Sequence, residues 1–240
     1  MLCVRFTASK DGLHTAMSEQ LPLITGDALQ VSAGLITGPE NEIAIKWLKN
    51  WPDWPPPSRF LNIFGPKACG KSCLGEFHQK RTGAQLFTRL DSWEPSKLTG
   101  SHFILDDIIL SKNWSEEALF FLYQNVTGNS GTILFLSEKP ISSIAWQLHD
   151  LRSRFRSVNA QEILPLREAS LRPLLQHHFT QRQCVISQTV LNFLVPRVQR
   201  EYSYVQKIVN EIDKLSLNSK KAVSIGLVKQ VLSEISGDSL

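Results

Sequence analysis

The chain has 240 residues, 42% of them hydrophobic and 20% charged, which fits one globular core with room for a small appended domain and speaks against disorder or a fibrous repeat. Its 26 Lys and Arg against 22 Asp and Glu leave a net charge of +4, too slight an excess to imply nucleic-acid binding by itself. The opening MLCVRFTASKDGLHTAM lacks the apolar stretch of a signal peptide and nowhere do about 18 apolar residues run together, so a cytoplasmic protein with no membrane partner is expected.

Residues 1 to about 30 are polar with no sustained period, apart from Leu21, Pro22, Leu23 and Ile24, and read as a flexible tail. From Glu40, Ile43, Ile45, Trp47, Leu48 and Trp51 crowd at mostly helical spacing until PDWPPP ends the helix, proline fixing an extended link. Phe60 to Phe64 predicts a short buried strand, and a glycine-rich turn follows it into a helix carrying Leu74, Phe77 and His78. Leu86-Phe87 and Phe103 to Leu105 are further strands, the last ending on Asp106-Asp107. Asn113 or Ser115 caps a helix through Leu119, Leu122, Tyr123 and Val126 that stops at Gly128. A strand from Thr132 to Leu136 follows, then a helix through Ile144, Leu148 and Leu151 towards LRSRFR.

Strands alternating with helices at this spacing predict an α/β fold with a parallel sheet and crossover helices. From about Arg167 only helices are expected: Glu168 to Gln181, one starting at Ser187, Glu201 to Leu215, and Ser224 to Ile235. The domains are therefore the tail at 1–30, an α/β unit at 31–166 and a small all-helical unit at 167–240. Cys3, Cys69, Cys73 and Cys184 show neither C-x-x-C spacing nor histidines at zinc-ligand distance, and read as reduced thiols.

Gly65-x-x-x-x-Gly70-Lys71-Ser72 is a complete P-loop in the required place between strand and helix. Its glycines let backbone N–H groups turn inward around phosphate oxygens at a helix N-terminus, where the dipole favours an anion. The candidate nucleotide contacts are thus Gly65, Pro66, Lys67, Ala68, Cys69, Gly70, Lys71, Ser72 and Cys73, with Lys71 on the β- and γ-phosphates and the Ser72 hydroxyl on Mg²⁺. Asp106, at the tip of an apolar strand, stands where a Walker B aspartate holds the Mg²⁺ water shell, and Asp107 beside it could polarise an attacking water; a solvated acidic turn is the plainer alternative. Ser137 and Glu138, at the tip of ILFLSEKP, could sense a terminal phosphate or simply end a strand. Arg152, Arg154 and Arg156 sit near a helix end, where cations suit the dipole. Their functional reading is an arginine finger neutralising charge on a phosphate held by a neighbouring subunit, with Arg154 preferred.

The order GPKACGKS, FILDDI, LFLSEKP, LHDLRSRF resembles the AAA+ domain of the bacterial replication initiator DnaA, and more closely its short regulatory relative, the Hda family. IKWLKNWPDWPPP looks like alphaproteobacterial members. The resemblance runs from about Glu40 to Ile235 and implies an AAA+ P-loop NTPase core, with a parallel sheet and helices on both faces, plus a C-terminal helical lid. It also implies ADP or ATP with Mg²⁺ as ligands. Only about Asp91 to His102 fills the interval where DnaA carries an extra helical insertion, and the chain stops after the lid, without a helix-turn-helix domain. SEQLPLI resembles the motif by which Hda proteins dock on the sliding clamp, the DNA polymerase III β subunit, with Gln20 in a polar subsite and Leu21 and Leu23 in an apolar pocket. Met17 immediately precedes it, so that residues 1–16 could be an upstream start extension.

By that resemblance the chain would be ADP-loaded on the clamp, contact ATP-bound DnaA and promote hydrolysis there, with Arg154 the finger in trans, DNA contacted mainly through the clamp, and a homo-oligomer possible. One departure stands out: Ser203 falls where the sensor 2 arginine of the family contacts nucleotide, and Arg200 one turn earlier is the candidate replacement. Intrinsic hydrolysis is therefore expected to be weak or absent. The alternatives are an independent AAA+ ATPase, such as a helicase loader or clamp-loader-like subunit, and a DNA-binding relic of an initiator.

Overall fold

The computed structural model describes residues 30–32, 35–56, 58–88, 101–108, 115–219 and 222–237. β1 (Gln30–Ser32) and β2 (Leu35–Thr37) form an antiparallel hairpin. The turn out of it is pinned by Asn41, whose Oδ1 accepts from the Gly38 amide at 2.9 Å while its Nδ2 donates to the Ile36 carbonyl at 2.7 Å. α1 (Glu42–Lys49) follows, burying Ala44, Ile45 and Leu48 along one face.

β3 (Phe60–Phe64) runs into the P-loop and α2 (Lys71–Thr82), and then come β4 (Gln85–Phe87), β5 (His102–Leu105), α3 (Glu116–Gly128), β6 (Thr132–Ser137), α4 (His149–Phe155) and β7 (Asn159–Glu162). The five strands pair in parallel in the order β4-β5-β6-β3-β7, which puts the P-loop strand between β6 and β7. Strand periodicity of two divides the sheet's apolar residues between two cores. Leu61, Ile63, Ile104, Leu134 and Leu136 pack on one face with buried residues of α1 and α2. Phe60, Phe103, Leu105, Ile133 and Phe135 pack on the other with α3 and α4. Near-continuous apolar strands covered on both faces are what an all-parallel sheet requires, and the expected layering is met. Between α3 and β6 the chain passes so close to Ser101 that a Cβ on Gly131 would lie 1.9 Å from its carbonyl oxygen.

Four helices complete the fold: α5 (Glu168–Gln181), α6 (Gln188–Leu194), α7 (Tyr202–Ser219) and α8 (Ile225–Gly237). Their buried residues join the core on the α1 and α2 side of the sheet. The start of α6 is set by Ser187, whose side chain accepts from the Val190 amide. Ser115 caps α3 in the same way through the Ala118 amide, whereas Asn113 lies outside the described residues.

Two local expectations change. The predicted helix through Ile144 and Leu148 is instead a 3₁₀ turn at Ile141–Ser143 and a separate short α4, with Ile144 extended. The break is stabilised from a distance, since the Glu116 carboxylate on α3 accepts from the Gln147 amide at 3.0 Å and the Leu148 amide at 2.7 Å, capping α4 across the fold. Strand β7, with sequence NAQE, has no apolar run to announce it, yet it pairs with β3 at the sheet edge.

Candidate functional site

The P-loop is built by backbone geometry. Gly70 takes φ +94°, a left-handed conformation that Cβ disfavours, and delivers the chain into α2, whose first helical bond runs from the Leu74 amide to the Gly70 carbonyl at 3.0 Å. Ala68 also takes a positive φ, 62°. Lys71 curls back over its own loop, donating to the Gly65 carbonyl at 2.9 Å and the Pro66 carbonyl at 2.8 Å, with the Cys69 sulfur 3.9 Å away. Cys69 is buried and Cys73 exposed; burial pushes both thiols up from their usual range, and the charge of Glu76, then that of Asp106, adds to the rise at Cys73.

Asp106 is only 8% exposed and receives the Asp107 amide at 2.9 Å. Asp107 itself is exposed and held at φ +58°, strain of the kind that clusters at functional sites. At the tip of β6, Ser137 is fully buried with its hydroxyl engaged, accepting from Asn62 Nδ2 at 2.9 Å and donating to the Lys139 carbonyl at 2.6 Å. Glu138 beside it reaches Lys67 of the P-loop at 3.5 Å, joining the two strand tips.

A cleft of about 350 Å³ opens between the P-loop, the β2–α1 turn and the C-terminal helices, large enough for a small-molecule ligand. Ala68, Cys69, Gly70, Lys71, Ser72 and Cys73 form its P-loop wall. Leu35, Ile36, Leu166 and Leu174 give it an apolar side suited to a flat ring. The face of α5 opposite supplies His177, His178 and Arg182, and α7 supplies Tyr202 and Gln206. Burial, then the neighbouring Arg182 and His177, holds the His178 imidazole down at about 4, so it is neutral at pH 7. Arg182 donates to the His178 carbonyl at 3.0 Å and to Asn210 Oδ1, bracing α5 against α7.

Ser203 is exposed and does not line the cleft, because α7 turns Tyr202 and Gln206 inward at i, i+4 spacing. Arg200 is also exposed and pairs with Glu168 at 3.4 Å, outside the cleft lining. The lid side of the cleft was the part that sequence reasoning missed: α5 carries no motif, and only the i, i+3, i+4 recurrence of Ser170, Leu174, His177, His178 and Gln181 marks one face. Arg154 lies elsewhere, half-buried on α4, its guanidinium 5.3 Å from the Phe120 ring centroid and 5.4 Å from that of Tyr123. Arg152 and Arg156 are exposed. Gln20, Leu21 and Leu23 lie outside the described residues. Among the described residues no cluster of three or more His, Cys, Asp or Glu could hold a metal, and no helix is long and apolar enough to cross a membrane.

Comparison with known proteins finds relatives for both halves of the cleft. Residues 168–232 match the family model "Hda, lid domain". An uncharacterised protein of Haemophilus influenzae is 27% identical over 235 aligned positions, covering 90% of this chain and 99% of that one. Domain III of DnaA from Thermotoga maritima superposes with a TM-score of 0.66 at 16% identity, covering 82% of this chain and 93% of that domain. AMPPCP-bound DnaA from Aquifex aeolicus gives 0.58 at 17% identity over 76% and 64% of the two chains, and the Thermotoga maritima branch-migration motor RuvB gives 0.54 at 13% over 73% and 61%. The helices on one side of the cleft thus match the Hda lid domain, and the core beneath them shares the fold of DnaA domain III.

Proposed function

We propose that this chain is a DnaA-related regulator of replication initiation, which docks on the DNA-loaded sliding clamp and stimulates hydrolysis of ATP bound to DnaA, preventing re-initiation. The observation that carries this reading is the Hda lid match at residues 168–232, joined to a core that superposes on DnaA domain III.

The residues of the cleft fit an adenine nucleotide. The loop from Gly65 and the N-terminus of α2 would receive the phosphate oxygens, Lys71 would turn its ammonium from the Gly65 and Pro66 carbonyls to them, and Leu35, Ile36 and Leu174 offer an apolar wall for the base. Mg²⁺ would be held by the phosphates, Ser72 and, through water, Asp106; it would neutralise phosphate charge. Two similar AAA+ structures are complexes with AMPPCP and one with ADP, which supports a nucleotide in this cleft. Ser203 stands outside the cleft, the residues of α7 turned towards the nucleotide are Tyr202 and Gln206, and Arg200 would have to leave Glu168 to reach in. The nucleotide, ADP or ATP, then mainly joins core to lid, and hydrolysis in this chain is weak.

Arg154 is the group offered to DnaA. The rings of Phe120 and Tyr123 brace the guanidinium against α3, and no carboxylate among the described residues pairs with it. A cation held without a counter-charge, away from its own cleft, suits the γ-phosphate of a neighbouring nucleotide. Gln20, Leu21 and Leu23 are the proposed clamp anchors. Retention of the full chain on immobilised sliding clamp, lost in Gln20→Ala, is the expected result, whereas an indifferent wild type removes clamp docking.

A second reading, an independent AAA+ ATPase such as a helicase loader, is favoured by the buried Asp106 beside the exposed, strained Asp107. Turnover without DnaA that disappears in Lys71→Ala would establish it in place of the first.

A further inference from the structure

One carboxylate of the core makes several polar contacts with the start of the lid. Glu40, in the turn between β2 and α1, is 4% exposed and lines the cleft. Its Oε1 accepts from the Arg167 amide at 3.2 Å, from Arg167 Nε at 3.3 Å and from the Ser170 hydroxyl at 2.7 Å, all three donors lying at the entry to α5. Its carbonyl accepts from the Leu164 amide at 2.9 Å, and the Leu164 carbonyl accepts from the Tyr202 hydroxyl at 3.1 Å. One residue of the core thus holds the first turn of α5 directly and the first residue of α7 through one intermediate.

A carboxylate in this place is unfavourable taken alone. It is desolvated, and it lines a cleft whose opposite wall is built to gather anions, so that its charge repels phosphate unless a cation answers it. The Arg167 guanidinium is that cation, and it belongs to the start of the lid. An anion on the P-loop therefore raises the energy of Glu40 when the lid swings away and leaves it unpaired, but much less when the lid is docked. Binding and docking favour each other, and by linkage the docked lid tightens binding by the same factor.

We infer that Glu40 is a positioning residue that couples occupancy of the nucleotide cleft to docking of the lid, through its shared contacts with Arg167 and Ser170. The inference rests on the nucleotide reading of the cleft and adds the residue that transmits it. Hydrogen exchange on the full chain, with and without ADP and Mg²⁺, tests it. In wild type, ADP protects both 65–75 and 164–175. In Glu40→Ala the protection at 65–75 persists, that at 164–175 is lost, and the ADP dissociation constant rises about tenfold, within the usual span of coupling between sites. Glu40→Gln, which keeps an acceptor for the Ser170 hydroxyl and the Arg167 amide, restores part of the protection at 164–175. If Glu40→Ala does not fold, Ser170→Ala removes the shortest contact alone and loses protection at 164–175 in the same pattern. Wild-type protection of 164–175 in both Glu40→Ala and Ser170→Ala, or in Ser170→Ala where that is the variant that folds, overturns the coupling while leaving the nucleotide site intact. Absence of protection at 65–75 in wild type overturns the nucleotide reading itself, and the coupling with it.

Discussion

Asn62 is the polar residue on which the tip of β6 depends, and its removal gives a stability change that can be worked out from its contacts. It is fully buried in the middle of β3, donating from Nδ2 to the Phe135 carbonyl at 3.2 Å and to Ser137 Oγ at 2.9 Å, while Oδ1 accepts from the Ile141 amide at 2.9 Å. Asn62→Ala leaves the Ile141 N–H, beneath a residue 1% exposed, without its acceptor, a loss of about 1–3 kcal/mol. The space left by the amide adds about 1 kcal/mol of lost packing. The total of about 2–4 kcal/mol corresponds to a fall in melting temperature of about 5–15 °C for a chain of this size. Thermal unfolding followed by circular dichroism at pH 7.5 measures it. The turn that Ile141 opens lies directly after Ser137 and Glu138, so the same variant should also weaken the Lys67–Glu138 contact across the P-loop. A melting temperature within about 2 °C of wild type would refute the assignment of Asn62 as the support of this strand tip.

Burial, then the charges of Arg81 and His102, holds the His78 imidazole down at about 4, against about 6.5 in the unfolded chain, so its contribution to stability is complete above pH 6.5 and is lost as pH falls from 6.5 towards 4. Unfolding free energies from urea titrations across that interval should fall by up to about 1.4 kcal/mol per pH unit from this group and less steeply in His78→Gln; an unchanged slope in the variant would count against it. Cys73 is exposed on the cleft wall while Cys69 is buried, so N-ethylmaleimide followed by peptide mass spectrometry should label Cys73 first, faster towards pH 9, and ADP should slow that labelling. Equal labelling rates with and without ADP would place the nucleotide elsewhere.

The P-loop wall of the cleft was legible because its sequence signature is local. A P-loop is a continuous stretch of backbone, and Asp106 announces itself by following Phe103, Ile104 and Leu105, whose burial on alternating faces makes an unbroken apolar run. The lid was legible only as helices. Which face of α7 meets the cleft depends on how it packs against α5, so the alignment could point to Ser203 while the structure turns Tyr202 and Gln206 inward. Glu40 was out of reach for a related reason: its partners stand 127 and 130 positions away, and an isolated Glu before a helix gives no sign of being buried. The break before α4 was hidden likewise, because its cap comes from Glu116 on another helix. Strand β7 lacks an apolar run, its residues alternating between half-buried and exposed at the sheet edge, and so offers no hydrophobic signal.

The reading of this chain as a regulator that acts on another protein's nucleotide turns on Arg154. Hydrolysis of ATP bound to DnaA, measured on clamp-loaded DNA with and without this protein, tests it most directly. The wild-type chain should accelerate that hydrolysis, and Arg154→Ala, whose side chain contributes only a ring contact of about 0.5–1 kcal/mol to its own fold, should bind clamp normally yet lose the acceleration. No acceleration by wild type, or equal acceleration by Arg154→Ala, would contradict the account.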